Sequence, residues 1–94
     1  MKKRILVIEK DKGIQEILNY ILATEGFEVK SLNHVNGILS HVEAFAPHAI
    51  LFDVILTGTK ETEVCQEIKS DAKTKHIPII VLSTSPSVTA NLCQ

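Results

Sequence analysis

The sequence of 94 residues lacks an excess of charge of either sign. Ten lysine and arginine residues stand against eleven aspartate and glutamate residues, and the formal net charge is −1. Such a chain has no strong electric field to draw it onto nucleic acid or an anionic membrane. We therefore expect no direct contact with nucleic acid and no membrane partner.

Long hydrophobic runs are also missing. After Met1-Lys2-Lys3-Arg4, the apolar run at the amino terminus extends only from Ile5 to Ile8. A signal peptide has an apolar core of about 7 to 15 residues and a membrane span needs about 20, so we expect a cytoplasmic protein. Domains of roughly 100 to 200 residues are usual, and residues 1–94 are expected to form a single one.

Metal-binding patterns of cysteine and histidine are absent as well. Cys65 and Cys93 show neither a CxxC nor a Cys/His spacing, which favours reduced thiols, with Cys65 as a small buried hydrophobe. His34, His41 and His48 follow one another at intervals of seven residues. Two histidines so spaced on one helix lie roughly 10 Å apart, so we expect them to face solvent without sharing a metal ion.

Two groups of enzymes are disfavoured by missing motifs. The turn after the first apolar run, Glu9-Lys10-Asp11-Lys12-Gly13, contains neither GxGxxG nor GxxxxGK[ST], which argues against dinucleotide and P-loop nucleotide binding. Ser83 lacks the GxSxG pattern of serine hydrolases.

The sequence does contain a regular alternation of two apolar patterns. Short continuous runs predict buried strands, and stripes at helical spacing predict amphipathic helices. Such runs predict strands at residues 4–8, 49–52 and 77–82. Residues 27–32 instead alternate between the two faces, which predicts a shorter, partly exposed strand at a sheet edge. The helical stripes are Ile14, Ile17, Leu18, Ile21 and Leu22, then Val35, Ile38, Leu39, Val42 and Phe45, then Val64, Cys65 and Ile68.

Capping residues predict where these helices begin and end. Asp11 is expected to cap the first helix and Gly26 to end it, and Pro47 is expected to stop the second. Ser87 is expected to cap a fourth helix that begins at Val88.

This alternation predicts an α/β fold with a parallel sheet and helices on both faces. In such folds, ligands gather at the carboxyl ends of the strands. The rule selects the segments Glu9 to Lys12, Asp53 to Gly58 and Ser83 to Ser85.

Glu9, Asp53 and Ser83 would converge there with Lys10 nearby, and three interpretations fit them. The two carboxylates could hold a hard cation such as Mg²⁺. Asp53 could act as a nucleophile that forms an acyl phosphate. Both carboxylates could also be structural charges, with Asp53 accepting hydrogen bonds from backbone N–H groups at its strand end.

Three segments make the sequence resemble the receiver domain of two-component response regulators. They are Lys3 to Glu9, Ala49 to Gly58 and His76 to Ser83, and the resemblance covers essentially the whole chain. It implies a three-layer flavodoxin-like fold with strand order 2-1-3-4-5. Because the chain stops at Gln94, before the fifth strand and the last helix, we expect the order 2-1-3-4.

The resemblance also assigns roles to individual residues. Asp53 matches the aspartate that accepts a phosphoryl group, and Ser83 matches the switch hydroxyl. Glu9 matches the first residue of the acidic pair that holds Mg²⁺, together with Asp53 and the backbone carbonyl of Ile55.

The second position of that acidic pair is occupied by Lys10. An ammonium in place of a carboxylate turns attraction for Mg²⁺ into repulsion of similar size, roughly 4 kcal/mol per unit charge pair at 4 Å and an effective dielectric of 20. Asp11 is a further candidate ligand, if Lys10 points to solvent.

The implied function is that of a signalling module and not of an enzyme. A histidine kinase or a phosphotransfer protein would phosphorylate Asp53 in a phosphorelay, and the product would switch an interaction surface for a downstream protein. Two alternatives are a phosphorylation-independent pseudo-receiver and a fragment of a small flavodoxin-like enzyme. Ile77 to Leu82 would form an edge strand, through which two copies could self-associate.

Overall fold

The computed structural model describes the backbone of residues 2–53 and 60–82, and their side chains except at positions 53, 60–62 and 82. Strands and helices alternate along the chain. Their order is β1 (Arg4–Ile8), α1 (Lys12–Thr24), β2 (Glu28–Leu32), α2 (Ile38–Phe45), β3 (Ala49–Asp53), α3 (Lys60–Ser70) and β4 (Ile79–Leu82). The helix predicted to begin at Val88 lies outside the described residues.

The four strands form one parallel sheet in the order β2-β1-β3-β4. Ile8 of β1 pairs with Leu32 of β2 on one side and with Phe52 of β3 on the other. The predicted fold class and strand order are confirmed, as is the edge position of β2. Among the described strands, β4 forms the opposite edge.

The helices cover both faces of the sheet. On one face, side chains of the two central strands pack with α2 and α3 in the main core. The buried members of this core are Leu6, Ile8, Leu32, Ile38, Val42, Ile50, Phe52, Val64, Cys65, Ile68 and Ile77. On the other face, the hydroxyl of Ser31 in β2 donates to Oδ1 of Asn19 in α1 at 2.6 Å, which fixes α1 over this edge of the sheet.

The two ends of α1 are formed by the residues that the sequence predicts. Asp11 Oδ1 accepts the backbone N–H of Ile14 at 3.0 Å and caps the helix. At the other end, Gly26 has a φ of 94°, and the N–H of Phe27 donates to the carbonyl of Leu22, an arrangement typical of glycine-terminated helices. Because Phe27 takes part in this closure, β2 begins one residue later than predicted.

The apolar stripe predicted for α1 is only partly buried. Leu18 and Leu22 are half-buried, whereas Ile14, Ile17 and Ile21 are exposed. Since successive helical residues are rotated by about 100°, these three isoleucines share one flank, roughly 140 to 160° from Asn19. This isoleucine flank (Ile14, Ile17 and Ile21) therefore points away from β2, toward the side of β3 and β4.

Helix α2 is shorter than its apolar stripe. It begins at Ile38, after Gly37 with a φ of 65°, so Val35 precedes the helix and packs against the core from the loop. His34 also lies before the helix, and the predicted helical spacing between His34 and His41 is wrong. Their ring centroids lie 6.0 Å apart.

The carboxyl end of α2 is held by β1. Ala46 has a φ of 51° and donates its N–H to the carbonyl of Val42 at 2.8 Å, and Pro47 follows it as the predicted stop. Nε of Arg4 donates to the carbonyls of Phe45 and Ala46 at 3.0 and 2.9 Å, so a cation satisfies the last carbonyls of the helix.

Helix α3 buries Val64, Cys65 and Ile68, as predicted. Cys65 is disulfide-bonded, so the expectation of a reduced thiol is wrong for this residue. Burial and sequence spacing do not by themselves show whether a cysteine is oxidised. The other cysteine, Cys93, lies outside the described residues.

A buried threonine fixes the turn between α3 and β4. Thr74 is 1% exposed, and its hydroxyl donates to the carbonyl of Ile68 at 2.6 Å. The N–H of Ile77 donates to the carbonyl of Thr74 at 3.0 Å. Because Ile77 closes this turn, β4 begins two residues later than predicted, at Ile79.

No helix within residues 2–53 and 60–82 combines the length and hydrophobicity needed to cross a bilayer.

Candidate functional site

The carboxyl ends of β1 and β3 lie side by side in the sheet. Ile8 pairs with Phe52, so Glu9 and Asp53 are the next residues of two neighbouring chains. Asp53 in turn pairs with Leu82 of β4, which Ser83 follows in sequence. The fold thus brings Glu9 and the backbone of Asp53 to one edge of the sheet. Ser83, Ile55 and the side chain of Asp53 lie outside what the structure describes.

Glu9 is buried, with 3% of its surface exposed. Its carboxylate oxygen Oε1 accepts the backbone N–H of Asp11 at 2.9 Å. Its own N–H donates to the carbonyl of Leu32 at 2.9 Å, which extends the ladder between β1 and β2. Through this contact Glu9 supports the loop. Its carboxylate oxygens are ligands of the kind that a hard cation takes, so Glu9 is also a candidate for cation binding.

The neighbours of Glu9 in sequence point outward. Lys10 is exposed, and within the described part of the chain its ammonium makes no ion pair. Asp11 is exposed too, and its Oδ1 is engaged as the cap of α1. An Asp11 carboxylate that turned toward Asp53 through Oδ1 would have to release the N–H of Ile14.

Gln15 is a part of the site that sequence reasoning missed. Its side-chain amide donates to the backbone carbonyl of Glu9 at 2.8 Å and so ties α1 to the end of β1. Gln15 precedes the half-buried Leu18 and Leu22 by three and seven positions, which places it on the sheet-facing side of the helix. A polar residue on the sheet-facing side of a predicted amphipathic helix was the sequence feature that could have pointed to Gln15.

The donor set fits a hard divalent cation in part. Mg²⁺ takes oxygen ligands and often only one or two carboxylates, with water completing its shell, and Glu9 and Asp53 bring this chemistry to neighbouring strand ends. A set of three or more acidic, histidine or cysteine side chains able to hold a metal does not occur in the described residues.

A separate cavity of about 470 Å³ lies at the amino ends of the strands. It is lined by Arg4, Glu43, Ala46, Pro47, His48, Lys73, His76, Ile77 and Pro78. The guanidinium of Arg4 is already engaged by carbonyls of α2, and the N–H of Arg4 donates to Nδ1 of His48 at 3.0 Å. This cavity lies at the opposite end of the sheet from Glu9 and Asp53.

Comparison with protein families identifies what this arrangement is similar to. The response regulator receiver domain matches residues 5–92. The DNA-binding response regulator MtrA of Mycolicibacterium smegmatis is 30% identical over 83 residues, which are 88% of this chain and 35% of that protein. The chain therefore spans about a third of the length of the curated relatives it matches.

Solved structures agree with this similarity. TrrA from Thermotoga maritima, in complex with Mg²⁺ and BeF, superposes with a TM-score of 0.82 at 27% identity and covers 97% of this chain and 77% of that one. The phosphorylated cyanobacterial phytochrome response regulator RcpA gives a TM-score of 0.77 at 32% identity, with 92% and 68% covered.

Proposed function

This chain belongs to the response regulator receiver domain family, and we propose that it accepts a phosphoryl group on Asp53 within a two-component phosphorelay. Its relatives are response regulators, which are signalling proteins. The observation that carries the proposal is the register of β1 and β3, which sets Asp53 beside the buried Glu9. Asp53 is also the residue at which β3 ends, where chemistry gathers in parallel sheets.

The proposed reaction is a direct phosphoryl transfer. A carboxylate oxygen of Asp53 attacks the phosphorus of a phosphohistidine, the P–N bond breaks, and an acyl phosphate forms while the leaving imidazole nitrogen takes up a proton. Bound Mg²⁺ would neutralise charge on the transferred group, and Glu9, Asp53 and the carbonyl of Ile55 are the residues that would hold it. The hydroxyl of Ser83 is proposed to turn toward the new phosphoryl group.

Small phosphodonors test this function without knowledge of the kinase. We expect acetyl phosphate with Mg²⁺ to label the chain slowly, and the label to be released by hydroxylamine, as for an acyl phosphate. Asp53→Asn should abolish labelling, whereas Glu43→Gln, a change of charge at an exposed position of α2, should leave it unaltered. Labelling that persists in Asp53→Asn would contradict the proposal.

Lys10 is proposed to weaken Mg²⁺ binding at this edge. We expect Lys10→Asp to raise Mg²⁺ affinity and the binding of beryllofluoride by about tenfold or more, because a repelling charge becomes an attracting one. Asp11→Asn tests the further candidate ligand, since asparagine caps a helix as well as aspartate does but has no charge. Strong Mg²⁺ binding by the unmodified chain, lost in Asp11→Asn, would show that Asp11 replaces the missing ligand.

A histidine kinase or a phosphotransfer protein is the proposed donor, and the isoleucine flank of α1 is its proposed contact surface. The flank begins within one helical turn of the Glu9 to Lys12 loop, so a protein seated on it would reach Asp53. Clustered exposed apolar side chains commonly mark interaction sites. A downstream protein partner would read the phosphorylated state, and β4 remains a proposed edge for self-association, since no described strand lies beyond it.

The presence of Lys10 favours one alternative function. With Lys10 in the acidic pair, the chain would suit a pseudo-receiver that binds its partner without phosphorylation. Partner binding that is equal for the wild type and Asp53→Asn, under conditions that phosphorylate the wild type, would favour this alternative. The family assignment disfavours the third candidate, a fragment of a small flavodoxin-like enzyme.

A further inference from the structure

The rings of His34 and His41 lie closer together than their separation in sequence indicates. On a continuous helix they would be about 10 Å apart, yet their centroids are 6.0 Å apart with an interplanar angle of 62°. The reason is that α2 begins only at Ile38. His34 therefore lies in the segment between β2 and α2 and not on the helix itself.

Both imidazoles are available to a ligand. His34 is exposed and His41 is half-buried. Neither ring forms a hydrogen bond with another described side chain, in contrast to His48, whose Nδ1 accepts the backbone N–H of Arg4. Among the described residues, the contact that these two side chains make is the one between their rings.

The separation is close to that required for chelation. A Zn–N bond measures about 2.0–2.1 Å, and the centre of an imidazole lies about 1.2 Å beyond its nitrogen. Two imidazoles on one tetrahedral ion therefore have centroids about 5 Å apart. To bind one ion, the two rings would have to approach each other by about 1 Å and each turn a nitrogen toward the metal.

We propose that His34 and His41 form a binding site for a divalent transition metal that prefers imidazole, such as Zn²⁺, Ni²⁺ or Cu²⁺. Water completes the coordination shell, since no described group of three ligating side chains surrounds the pair. Imidazole is a poor partner for Mg²⁺, so this site and the carboxyl ends of β1 and β3 select different ions. Bound metal would join the loop after β2 to α2.

Zn²⁺ is the probe that tests the site, because it is diamagnetic and reports on individual histidine rings. The chain is titrated with Zn²⁺ in the presence of excess Mg²⁺, which occupies carboxylate sites, and ring resonances are followed by NMR. We expect the signals of His34 and His41 to shift together, with His76 unaffected. His34→Asn and His41→Asn should each weaken Zn²⁺ binding at least tenfold, and His76→Asn should not.

A second readout is the melting temperature. Ligands that bind only the folded state raise it, so Zn²⁺ should shift the wild type upward by about 2–4 °C, and neither His34→Asn nor His41→Asn should show the shift. Zn²⁺ binding that is equal in the wild type and both variants, or an absence of any shift of these two rings at millimolar Zn²⁺, would overturn the proposal.

Discussion

The carboxylate of Glu9 accepts the backbone N–H of Asp11 at 2.9 Å, so the buried acid at the end of β1 also shapes the loop that follows it. This one contact joins two roles. As an acceptor, Glu9 sets the backbone that presents Lys10 and starts α1. As a charge, it is a candidate ligand for a cation beside Asp53.

Substitutions at Glu9 separate the two roles. Glu9→Gln keeps an oxygen that can accept the N–H of Asp11, so we expect the free energy of unfolding in urea to change by less than about 1 kcal/mol. Mg²⁺ affinity should fall, because the charge is lost. Glu9→Leu removes the acceptor as well and should destabilise the fold by about 1–3 kcal/mol. Equal loss of stability in both variants would mean that the charge itself supports the fold.

Asp53→Asn is expected to leave the fold intact and to raise its stability slightly in the absence of Mg²⁺. Two carboxylates at neighbouring strand ends repel each other, and the substitution removes one of them with little change in shape. Denaturation with and without Mg²⁺ measures the effect, and added Mg²⁺ should reduce the difference between variant and wild type. A loss of about 3–5 kcal/mol would instead show that Asp53 is half of a buried ion pair.

The isoleucine flank should matter for a protein phosphodonor and not for a small one. Ile17 is 59% exposed, so Ile17→Glu should fold normally while placing a charge on the proposed contact surface. We expect the rate of phosphotransfer from a kinase to fall at least tenfold and labelling by acetyl phosphate to be unchanged. Ala23→Glu adds the same charge to an exposed position about 120° away on α1 and serves as the control. Equal effects of the two variants would place the contact elsewhere.

Thr74 is expected to contribute to stability through its hydroxyl. In Thr74→Val the shape is kept, but the buried carbonyl of Ile68 loses its donor. The cost should be about 1–3 kcal/mol in the free energy of unfolding. Thr74→Ser keeps the donor and loses one methyl group, so it should cost about 1 kcal/mol. A valine variant as stable as the wild type would show that packing, not the hydrogen bond, holds this turn.

The two central strands, β1 and β3, were predictable because each is a short continuous apolar run. A central parallel strand such as β1 or β3 is a continuous apolar run, which few other structures produce. The ends of α1 were predictable for a similar reason, since an aspartate cap and a left-handed glycine are local signals that act within a few residues.

What could not be predicted depends on contacts between distant parts of the chain. Ile14, Ile17 and Ile21 repeat at helical spacing whether a neighbour covers them or not, so periodicity alone overestimates the core. The contact between the rings of His34 and His41 could be predicted only if the start of α2 at Ile38 were known. The role of Thr74 could be predicted only if the carbonyl that accepts its hydroxyl were known. Asp53 and Glu9 were selected by the strand-end rule, and their roles in phosphorylation stay predictions.

Ala46 is the described residue other than glycine that has a positive φ, 51°. The left-handed conformation costs an L-residue roughly 1–2 kcal/mol, whereas glycine adopts it freely but loses more chain entropy on folding, about 0.5–1 kcal/mol. The difference predicts that Ala46→Gly stabilises the fold by about 0.5–1 kcal/mol. The hydrogen bond from Arg4 to the carbonyl of residue 46 is unaffected by the substitution.

Ala44→Gly is the matched control for Ala46→Gly, because the same chemical change falls two residues earlier, at an exposed position within α2. There the backbone is helical and glycine should destabilise by about 0.5–1 kcal/mol. The two variants should therefore shift the midpoint of urea unfolding in opposite directions. The dependence of the free energy of unfolding on urea concentration should be the same in both. If both variants lowered the urea midpoint, residue 46 would not be held in the left-handed conformation in solution. The hydrogen bonds from Arg4 would then be what fixes the carboxyl end of α2.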